Sequence, residues 1–386
     1  MKILFILHTS GVSEGSSIAA LAIIRHLVKR GHEVMAVLPF TGALVDALQK
    51  VGAKTEIISF SGAIWPVHYN IKTTLTVPKR LIVRLWENHY SEKKLQRLVE
   101  SFQPDILHSN TGVLRIGYYV AKKMNIPHVW HIRETEDGSH CYHYPNSSFQ
   151  KRLLDSNSFN IAITRMVKDY YNLKDNNSKV VYDGVFEQSY RLQHAVPKKN
   201  YFLVVGRVCE TKGTDWAVKA FLNIANRYSD YELWLAGKDD LQFGKALKGQ
   251  LQDIENGNRI KFLGIRHDVY ELMAQAQAVI VASPLEGFGF IAVEAMINNT
   301  IVIGRDTGGT KEQFDNGLKL EGKEIGLRFD TIDELTMRME QICKNGQESY
   351  TAMIGAAQRV VRQLYTIEGN VDQIEQIYKE ITKNRN

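Results

Sequence analysis

The chain has 386 residues, of which 44% are hydrophobic and 23% charged, a composition ordinary for a soluble globular protein. This length predicts two domains with substantial cores, and no apolar run approaches the roughly 20 residues that a membrane-spanning helix needs. The net charge of +6 is uneven: residues 1–196 carry 24 basic and 16 acidic side chains, and the remainder carries 24 and 26. A basic first half suits an anionic partner such as a membrane surface, a lipid diphosphate or nucleic acid, but an unevenly solvated surface explains it equally well.

The N-terminus and the cysteines indicate a cytoplasmic protein. The apolar core of residues 1–8 is too short for a signal peptide and is more typical of a first strand. The three cysteines are odd in number and far apart, at Cys141, Cys209 and Cys343. This usage predicts a reducing compartment without disulfides, and the spacing supports no zinc site.

Short apolar strands alternate with amphipathic helices along the first half, the pattern of a parallel α/β sheet. The predicted strands are Ile3–Leu7, Glu33–Leu38, Glu56–Phe60, Asp105–Ser109, His128–Ile132 and Asn160–Thr164. Helices fit between them, for example Ser17–Arg30 and Lys93–Phe102.

After a polar break at residues 195–200 the alternation restarts. Its predicted strands are Tyr201–Val205, Glu232–Ala236, Ile260–Leu263, Ala278–Ala282 and Ile301–Ile303. The fold class expected is α/β, with two facing Rossmann-like, doubly wound domains and a ligand cleft between them. We assign residues 1–195 to the first domain, 196–365 to the second domain, and 366–386 to a C-terminal helix that packs back on the first domain.

One stretch of the first domain departs from the regular alternation. Residues 65–70 are aromatic, and residues 77–86 mix basic side chains with large apolar ones, including Trp86. A basic amphipathic helix with a tryptophan suits a membrane surface, and an ordinary helix packed on the sheet explains the pattern equally well.

The segment from Ala278 to Ile297 carries two carboxylates. An apolar strand leads into a glycine-aromatic turn, and a helix is predicted over Phe290–Ile297, so the turn lies at a helix N-terminus that favours anions. Glu286 and Glu294 flank this turn, and eight helical residues would separate them by roughly 12 Å. That is too far for a glycosidase pair acting across one bond, but it suits the two ends of an elongated ligand with phosphates between them.

Three other strand ends in the second half offer further ligand-binding groups. Gly206 and Arg207 follow one strand, with Lys212 shortly after, and two cations there predict a diphosphate clamp, although either cation alone is as often a solvated surface charge. Gly237 and Gly264 end the next two strands, where a glycine permits close backbone approach. A planar base fits against residues 264–266, which include Arg266.

The first domain contributes Gly15, in the small-residue loop 9–17, and His131, at the end of a strand. The loop lacks both the Gly-x-Gly-x-x-Gly fingerprint and the Gly-Lys-Ser/Thr ending, so a dinucleotide cofactor and a nucleoside-triphosphatase site are not expected. A lone histidine is more often structural, but its place at a strand end favours a site role.

These motifs together resemble the retaining glycosyltransferases of family 4, which have the GT-B fold. Glu286 and Glu294 match that family's E-x7-E motif, Gly206-Arg207 with Lys212-Gly213 matches its diphosphate motif, and Gly308-Gly309-Thr310 matches its later Gly-Gly segment. The resemblance covers nearly the whole chain, and its specific motifs concentrate in residues 201–312. Two departures occur in the first domain: Asp183 stands where an Asn is usual, and Glu14-Gly15-Ser16 replaces a double glycine.

The resemblance implies a role for each matching residue. The catalytic group comprises Arg207 and Lys212, which neutralise the departing diphosphate, Glu286, which binds donor-sugar hydroxyls, and His131, near the transferred sugar. The ribose is held by Glu294. The remaining donor-binding residues implied are Gly15, Gly206, Gly237, Gly264, Arg266, Gly287, Phe288, Gly289 and Phe290.

The resemblance further implies an acceptor-binding first domain, 1–195, and a nucleotide-sugar-binding second domain, 196–365. It implies transfer with retained configuration by front-face departure, without a dedicated base and without a cofactor beyond the nucleotide-sugar co-substrate. No Asp-x-Asp metal motif precedes a plausible donor site, so independence from divalent cations is expected. The expected acceptor is a glycan, in particular a lipid-linked one in bacterial surface polysaccharide (for example capsule) synthesis, with no nucleic acid partner and possible attachment to the inner face of the membrane. A nucleotide-sugar epimerase of the same fold and a non-catalytic sugar- or lipid-binding partner of another transferase remain alternatives. The base, the donor sugar, the acceptor and the oligomeric state stay open.

Overall fold

A computed structural model describes residues 1–12, 14–62, 76–136, 146–155, 157–192 and 196–383. The chain divides into two compact units, Met1–Gly184 together with Ile367–Asn386, and Val185–Thr366. Both are built from strands alternating with helices.

The strands in chain order are β1 (Lys2–Ile6), β2 (Glu33–Leu38), β3 (Lys54–Ile57), β4 (Ile106–Ser109), β5 (His128–Ile132), β6 (Ser158–Ala162), β7 (Ser178–Val180), β8 (Tyr201–Val205), β9 (Glu232–Ala236), β10 (Ile260–Gly264), β11 (Ala278–Val281), β12 (Ile301–Arg305) and β13 (Leu327–Phe329). The α-helices are α1 (Gly15–Lys29), α2 (Ala43–Lys50), α3 (Val77–Phe102), α4 (Arg115–Lys123), α5 (Asn146–Leu153), α6 (Arg165–Tyr170), α7 (Thr214–Ala225), α8 (Leu241–Gln252), α9 (Val269–Gln275), α10 (Phe290–Ile297), α11 (Gly308–Glu321), α12 (Ile332–Asn345), α13 (Thr351–Leu364) and α14 (Ile367–Lys383).

The first unit is a parallel seven-stranded sheet in the order β3-β2-β1-β4-β5-β6-β7. Side chains of β1 alternate between its faces, so Ile3 and Phe5 join the core beneath α1 and α14, while Leu4 and Ile6 join the core beneath α3 and α4. Helices on both faces make every central strand apolar, which is why these strands are continuous hydrophobic runs in the sequence.

The second unit is a parallel six-stranded sheet in the order β10-β9-β8-β11-β12-β13. The strand order reverses between β8 and β11, which are hydrogen-bonded neighbours. At such a switch point the loops leaving the two strands diverge to opposite faces and leave a crevice at the carboxyl edge. The loops after β8 and β11 are the two that carry the predicted cations and the paired carboxylates.

The predicted fold class is confirmed, and several elements differ in detail. The edge strands β7 and β13 are missing from the prediction because three residues are too short to show a pattern. The helix predicted over Lys93–Phe102 begins already at Val77. The division between the units lies after Gly184 rather than after residue 195, because the Val185 amide donates to the Tyr365 carbonyl of the second unit.

Cys209 and Cys343 are free thiols, and Cys141 lies outside the described residues. Among the described helices, none combines the length and apolar character required to cross a membrane. No cluster of three or more His, Cys, Asp or Glu side chains suited to a metal ion occurs in the described parts of the chain.

Candidate functional site

The loops that leave β8 and β11 are joined by an ion pair. The ammonium Nζ of Lys212 donates to Oε1 of Glu286 at 2.6 Å, and the hydroxyl of Ser283 donates to the same oxygen at 2.6 Å. Both charged side chains are partly buried, with 32% of Lys212 and 21% of Glu286 exposed. A cation and a carboxylate separated by 74 residues in sequence therefore meet at the switch point of the second sheet.

Gly213 allows the close approach of these two loops. Its φ of +65° is in the left-handed region, and a Cβ there would overlap with the carbonyl of Ala282, directly after β11. A side chain at this position would be strained and would also push the Lys212 loop away from the Glu286 loop. The glycine is therefore required by the geometry that pairs the two residues.

Arg207 lies at the end of the same strand as the Lys212 loop and is exposed. Within the described residues its guanidinium forms no ion pair or hydrogen bond, so its fork of donors is available to an anion. Gly206 before it has a φ of +129°, and its carbonyl packs so tightly on Gly237 that no Cβ fits there. The Gly237 amide in turn donates to the Gly264 carbonyl at 2.8 Å, so three predicted glycines lie side by side at the carboxyl edge.

The turn after β11 lies between the N-termini of two helices. Gly289, at a φ of +88°, begins α10 without a side-chain cap, and α11 also begins without one. The Gly309 amide in α11 donates to the Glu286 carbonyl at 2.8 Å, and Gln313 donates to the Phe288 carbonyl at 2.6 Å and the Gly289 carbonyl at 3.1 Å. These bonds fix the turn and leave the first amides of α10, beginning at Phe290, without a side-chain partner, an arrangement that binds anions.

Phe288 fixes this turn through its buried ring. Its ring is buried and packs edge-on against Phe290 at 5.2 Å and Tyr365 at 5.5 Å between centroids. Gly287 precedes it in the same loop. The ring of Phe288 thus anchors the turn in the core, and its backbone carbonyl accepts the hydrogen bond from Gln313.

Glu294 lies on α10 and is partly buried. The hydroxyl of Tyr270 donates to its Oε1 at 3.4 Å. Burial raises the pKa of the Glu294 carboxyl to about 7, and the bond from Tyr270 offsets only part of this effect. The carboxyl therefore changes charge near neutral pH, and hydroxyl donors from a ligand would favour its ionised form.

We expect donor binding to depend on pH through Glu294. The unfolded carboxyl titrates near 4.5, so the raised pKa costs folding stability between about pH 4.5 and pH 7, and the loss grows no further above pH 7. A ligand diol that donates to the carboxylate favours its ionised form, so the affinity for a nucleoside-diphosphate sugar should rise with pH up to about pH 7 and level off above it. Calorimetric titration of wild type and Glu294→Gln checks this, because the diphosphate stays ionised throughout and the amide has no titration. A flat wild-type profile would contradict it.

Gly264 and Arg266 lie at the carboxyl end of β10, as predicted, but Arg266 is engaged. Its guanidinium donates to both carboxylate oxygens of Asp268, at 2.8 and 2.5 Å, and this pair is exposed. The pKa of Asp268 is lowered by this hydrogen-bonded partner. Gly264, at a φ of +64° with open space around it, is the better-placed surface for a planar base.

In the first unit, His131 is fully buried at the carboxyl end of β5. Its Nδ1 lies 3.3 Å from Nε2 of His108 and 3.4 Å from Nη2 of Arg133. The Nδ1 atom of His108 lies 2.6 Å from the hydroxyl of Tyr378 on α14. Burial, followed by the nearby charge of Arg133, lowers the pKa of His131 well below its ordinary value, so the imidazole is neutral.

These contacts determine which ring nitrogens of His131 and His108 carry a proton. A guanidinium only donates, so Nδ1 of His131 is an acceptor and its proton is on Nε2. Nε2 of His108 then donates to His131, and Nδ1 of His108 accepts from Tyr378. The Nε2–H group of His131 is buried and has no partner among the described residues. It is a donor held ready for an acceptor oxygen.

The same network reaches the loop of Gly15, which is the first residue of α1. Arg133 forms a buried pair with Asp183, at 2.6 and 2.7 Å, and its Nε donates to Asn110 at 3.1 Å. Asn110 donates to the Ser16 carbonyl, also at 3.1 Å. The structure therefore links the two predicted site segments of the first unit through Arg133 and Asn110.

Seven residues of these sites were not predicted: Ser283, Tyr270, Gln313, Asn110, His108, Arg133 and Tyr378. Ser283 follows β11 after one intervening residue, and a polar side chain just after a buried strand is a signal that the sequence offers. Tyr270, Gln313 and Asn110 act across the fold on partners distant in sequence, and no local pattern marks them.

Two family models match the chain consecutively. Glycosyltransferase Family 4 matches residues 13–187, and Glycosyl transferases group 1 matches residues 187–360. The chain belongs to the group 1 glycosyltransferases. The paired Lys212 and Glu286 of the second unit fall in the group 1 segment, and His131 falls in the Family 4 segment.

Relatives of this group 1 glycosyltransferase agree with the assignment. An uncharacterised glycosyltransferase of Methanocaldococcus jannaschii is 28% identical over 58% of this chain and 62% of its own length. The O-antigen chain mannosyltransferase RfbU of Salmonella typhimurium is 29% identical over 46% of this chain and 52% of its own length. The matches thus span between about half and two thirds of these relatives.

The fold has a counterpart among solved structures. The crystal structure of HepE from Anabaena in complex with UDP-glucose has a TM-score of 0.77 at 20% identity, covering 98% of this chain and 100% of that one. The chain therefore has the two-domain GT-B fold.

Proposed function

We propose that this protein transfers a sugar from a nucleoside-diphosphate sugar to an acceptor hydroxyl with retained configuration. The observation that carries the proposal is the contact between Lys212 and Glu286 at the switch point, beside the uncapped N-termini of α10 and α11. Cations and free amides suit a diphosphate, and the carboxylate suits the hydroxyls of the attached sugar.

Some residues of the site bind the donor and others stabilise charge. Arg207 and Lys212 neutralise the diphosphate, and the amides of Phe288, Gly289 and Phe290 hold the phosphate and sugar. Glu286 accepts hydrogen bonds from sugar hydroxyls, and Glu294 accepts them from the ribose. On the family's pattern, the Nε2–H of neutral His131 donates to an oxygen of the transferred sugar, and the loop of Gly15 contacts phosphate.

The chemical step needs no protein base. The bond between the anomeric carbon and the β-phosphate oxygen breaks, and its electron pair stays with the phosphate. The acceptor oxygen bonds to the same face of the anomeric carbon, and its proton passes to the departing phosphate. Lys212 and Arg207 stabilise the charge that develops on that oxygen, the effect that lowers the barrier most in such sites. The mechanism also predicts turnover without a divalent cation.

We further propose a lipid-linked glycan as the acceptor, in the synthesis of a surface polysaccharide such as a capsule at the inner face of the membrane. The similarity to an O-antigen chain mannosyltransferase supports this acceptor class. The excess of basic residues in the first half of the chain supports an anionic surface as a partner.

A panel of uridine-, guanosine- and adenosine-diphosphate sugars tests the proposal. We expect one base to raise the melting temperature, because a ligand that binds only the folded state stabilises it. Nuclear magnetic resonance of the product formed with that donor, in the presence of EDTA, should show the donor's anomeric configuration. An inverted product or a strict metal requirement would contradict the mechanism.

The alternatives give different results in the same assay. A non-catalytic sugar- or lipid-binding protein would be stabilised by a donor without consuming it. An epimerase of the same fold would convert the donor without an acceptor. Consumption that requires an acceptor hydroxyl, or slow hydrolysis to sugar and nucleoside diphosphate, supports the transferase.

A further inference from the structure

Helix α3 presents large apolar side chains to solvent. Its inner face packs into the core through Leu95, Val99 and Phe102. On the opposite face Ile82, Val83, Trp86 and Tyr90 are 65, 45, 79 and 59% exposed. The sequence pattern was compatible with this segment being either exposed or packed on the sheet, and the structure shows these four side chains exposed to solvent.

Basic side chains continue the same face. Lys79 precedes the four apolar residues, and Lys93, Lys94 and Arg97 follow them; all four are exposed. The eight residues succeed one another at spacings of three and four and so form one stripe, here called the α3 face. Lys94 lies over the ring of Tyr90, with its Nζ 4.8 Å from the centroid. Two acids on this helix are also exposed: Glu87 lies beside the stripe, and Glu100 continues it three residues after Arg97.

A cavity adjoins the basic half of the α3 face. It has a volume of about 430 Å³, lies between α3 and α4, and is lined by His89, Glu92, Lys93, Gln96, Tyr118, Tyr119, Lys122 and Lys123. Lys122 is paired with Asp155 at 2.5 Å, and Lys123 donates to Gln96. Asp155 offsets Lys122, so Lys93 and Lys123 face one remaining carboxylate, Glu92, whose pKa is raised by burial. The excess charge is positive, so an anionic group is favoured there.

We propose that the α3 face is a docking surface for a bilayer containing anionic lipid. Ile82, Val83, Trp86 and Tyr90 enter the boundary between headgroups and acyl chains, where amphipathic aromatic rings are favoured. Lys79, Lys93, Lys94 and Arg97 contact lipid phosphates, and the cavity beside them receives a headgroup. Charge complementarity selects this occupant, because a stripe that joins exposed apolar side chains to an excess of cations fits an anionic interface. The role of this docking in catalysis rests on the proposed lipid-linked acceptor, but the vesicle-binding experiment that tests the docking does not depend on that acceptor.

Sedimentation with vesicles of phosphatidylcholine and phosphatidylglycerol, compared with phosphatidylcholine alone, tests the proposal. We expect binding only with the anionic lipid, weakening as salt rises. Ile82→Ser with Trp86→Ser, and separately Lys93→Gln with Lys94→Gln, should each weaken binding at least about tenfold. Leu241→Ser with Lys245→Gln, at exposed sites of the second unit, is the matched control and should bind like wild type.

Tryptophan fluorescence adds an independent measurement. Vesicles should shift the emission of the exposed Trp86 to shorter wavelength, and Trp86→Phe should bind but lack the shift. Absence of wild-type binding to anionic vesicles, or unchanged binding of both surface variants, overturns the proposal. Self-association that is lost in the Trp86→Ser variant, without vesicle binding, assigns the face to a second copy and also overturns it. Turnover with a short soluble acceptor should persist in every surface variant, so failure here is distinct from failure of the transferase proposal.

Discussion

Replacing Lys212 with alanine should lower donor turnover about 100- to 1000-fold, the range found for removal of one preorganised charge-stabilising donor. The ammonium is held at the switch point by Glu286, which is itself held by Ser283. Because this cation stabilises the departing phosphate, the loss should fall mainly on kcat. The affinity for the nucleoside diphosphate product should also decrease, which calorimetry measures directly.

The matched control for this substitution is Lys219→Ala. Lys219 is exposed on α7 and pairs with Asp215 one helical turn away, at 3.4 Å. Such a pair contributes little to stability, and Lys219 has no contact with Glu286 among the described residues, so turnover should stay at the wild-type level. Equal turnover of Lys212→Ala and wild type with every nucleotide sugar would refute the proposed function.

Replacing Asp183 with alanine should destabilise the first unit by about 3–5 kcal/mol, the cost of leaving a buried charge without its partner. Only 4% of Arg133 and 1% of Asp183 are exposed, and no solvent compensates for the lost carboxylate. The released guanidinium would also disturb Asn110 and His131, its other contacts. Urea unfolding followed by hydrogen exchange measures the unfolding free energy of each unit separately, with peptides covering β5 for the first unit and β8 for the second.

Two further variants distinguish the charge effect from a general loss. Asp183→Asn keeps the shape and one acceptor oxygen, and it is the residue usual in the family, so its destabilisation should be smaller. Asp175→Ala removes an exposed partner of Lys168 and should leave the unfolding free energy at the wild-type level, because a solvent-exposed ion pair contributes little to stability. A stable Asp183→Ala variant would show that the pair is not needed to hold the first unit together.

The sequence predicted most of the sheet because parallel strands covered on both faces are continuous apolar runs. The bounds of β2, β5, β8, β9 and α10 agree with the prediction. The start of α3 at Val77 was less clear, since basic and apolar residues mix there and do not indicate which face is covered. The exposure of Trp86 depends on whether other elements pack on this face of the helix, and a local sequence pattern gives no information about such tertiary contacts.

The candidate site shows the same division between local and distant information. Glycines and charges after strands marked the loops, because chain geometry places strand ends at one edge of a sheet. The contact of Lys212 with Glu286 depends on the neighbouring positions of β8 and β11. The engagement of Arg266 by Asp268 depends on side-chain conformation, and the protonation of His131 depends on Arg133 and Tyr378. None of these is expressed in the spacing of residues.

The last helix has a consequence for how this protein is made. Apolar residues of α14, including Val371, Ile374 and Ile377, complete the core beneath β1, and Tyr378 supplies the hydroxyl that orients His108. The whole second unit is synthesised between β7 and this helix. During translation the second unit therefore has all its strands before the first unit can close its core. A chain that ends prematurely after residue 366 would retain the Lys212–Glu286 pair but lack the Tyr378 hydroxyl that donates to His108. Synthesis of α14 is thus required before the core of the first unit can close.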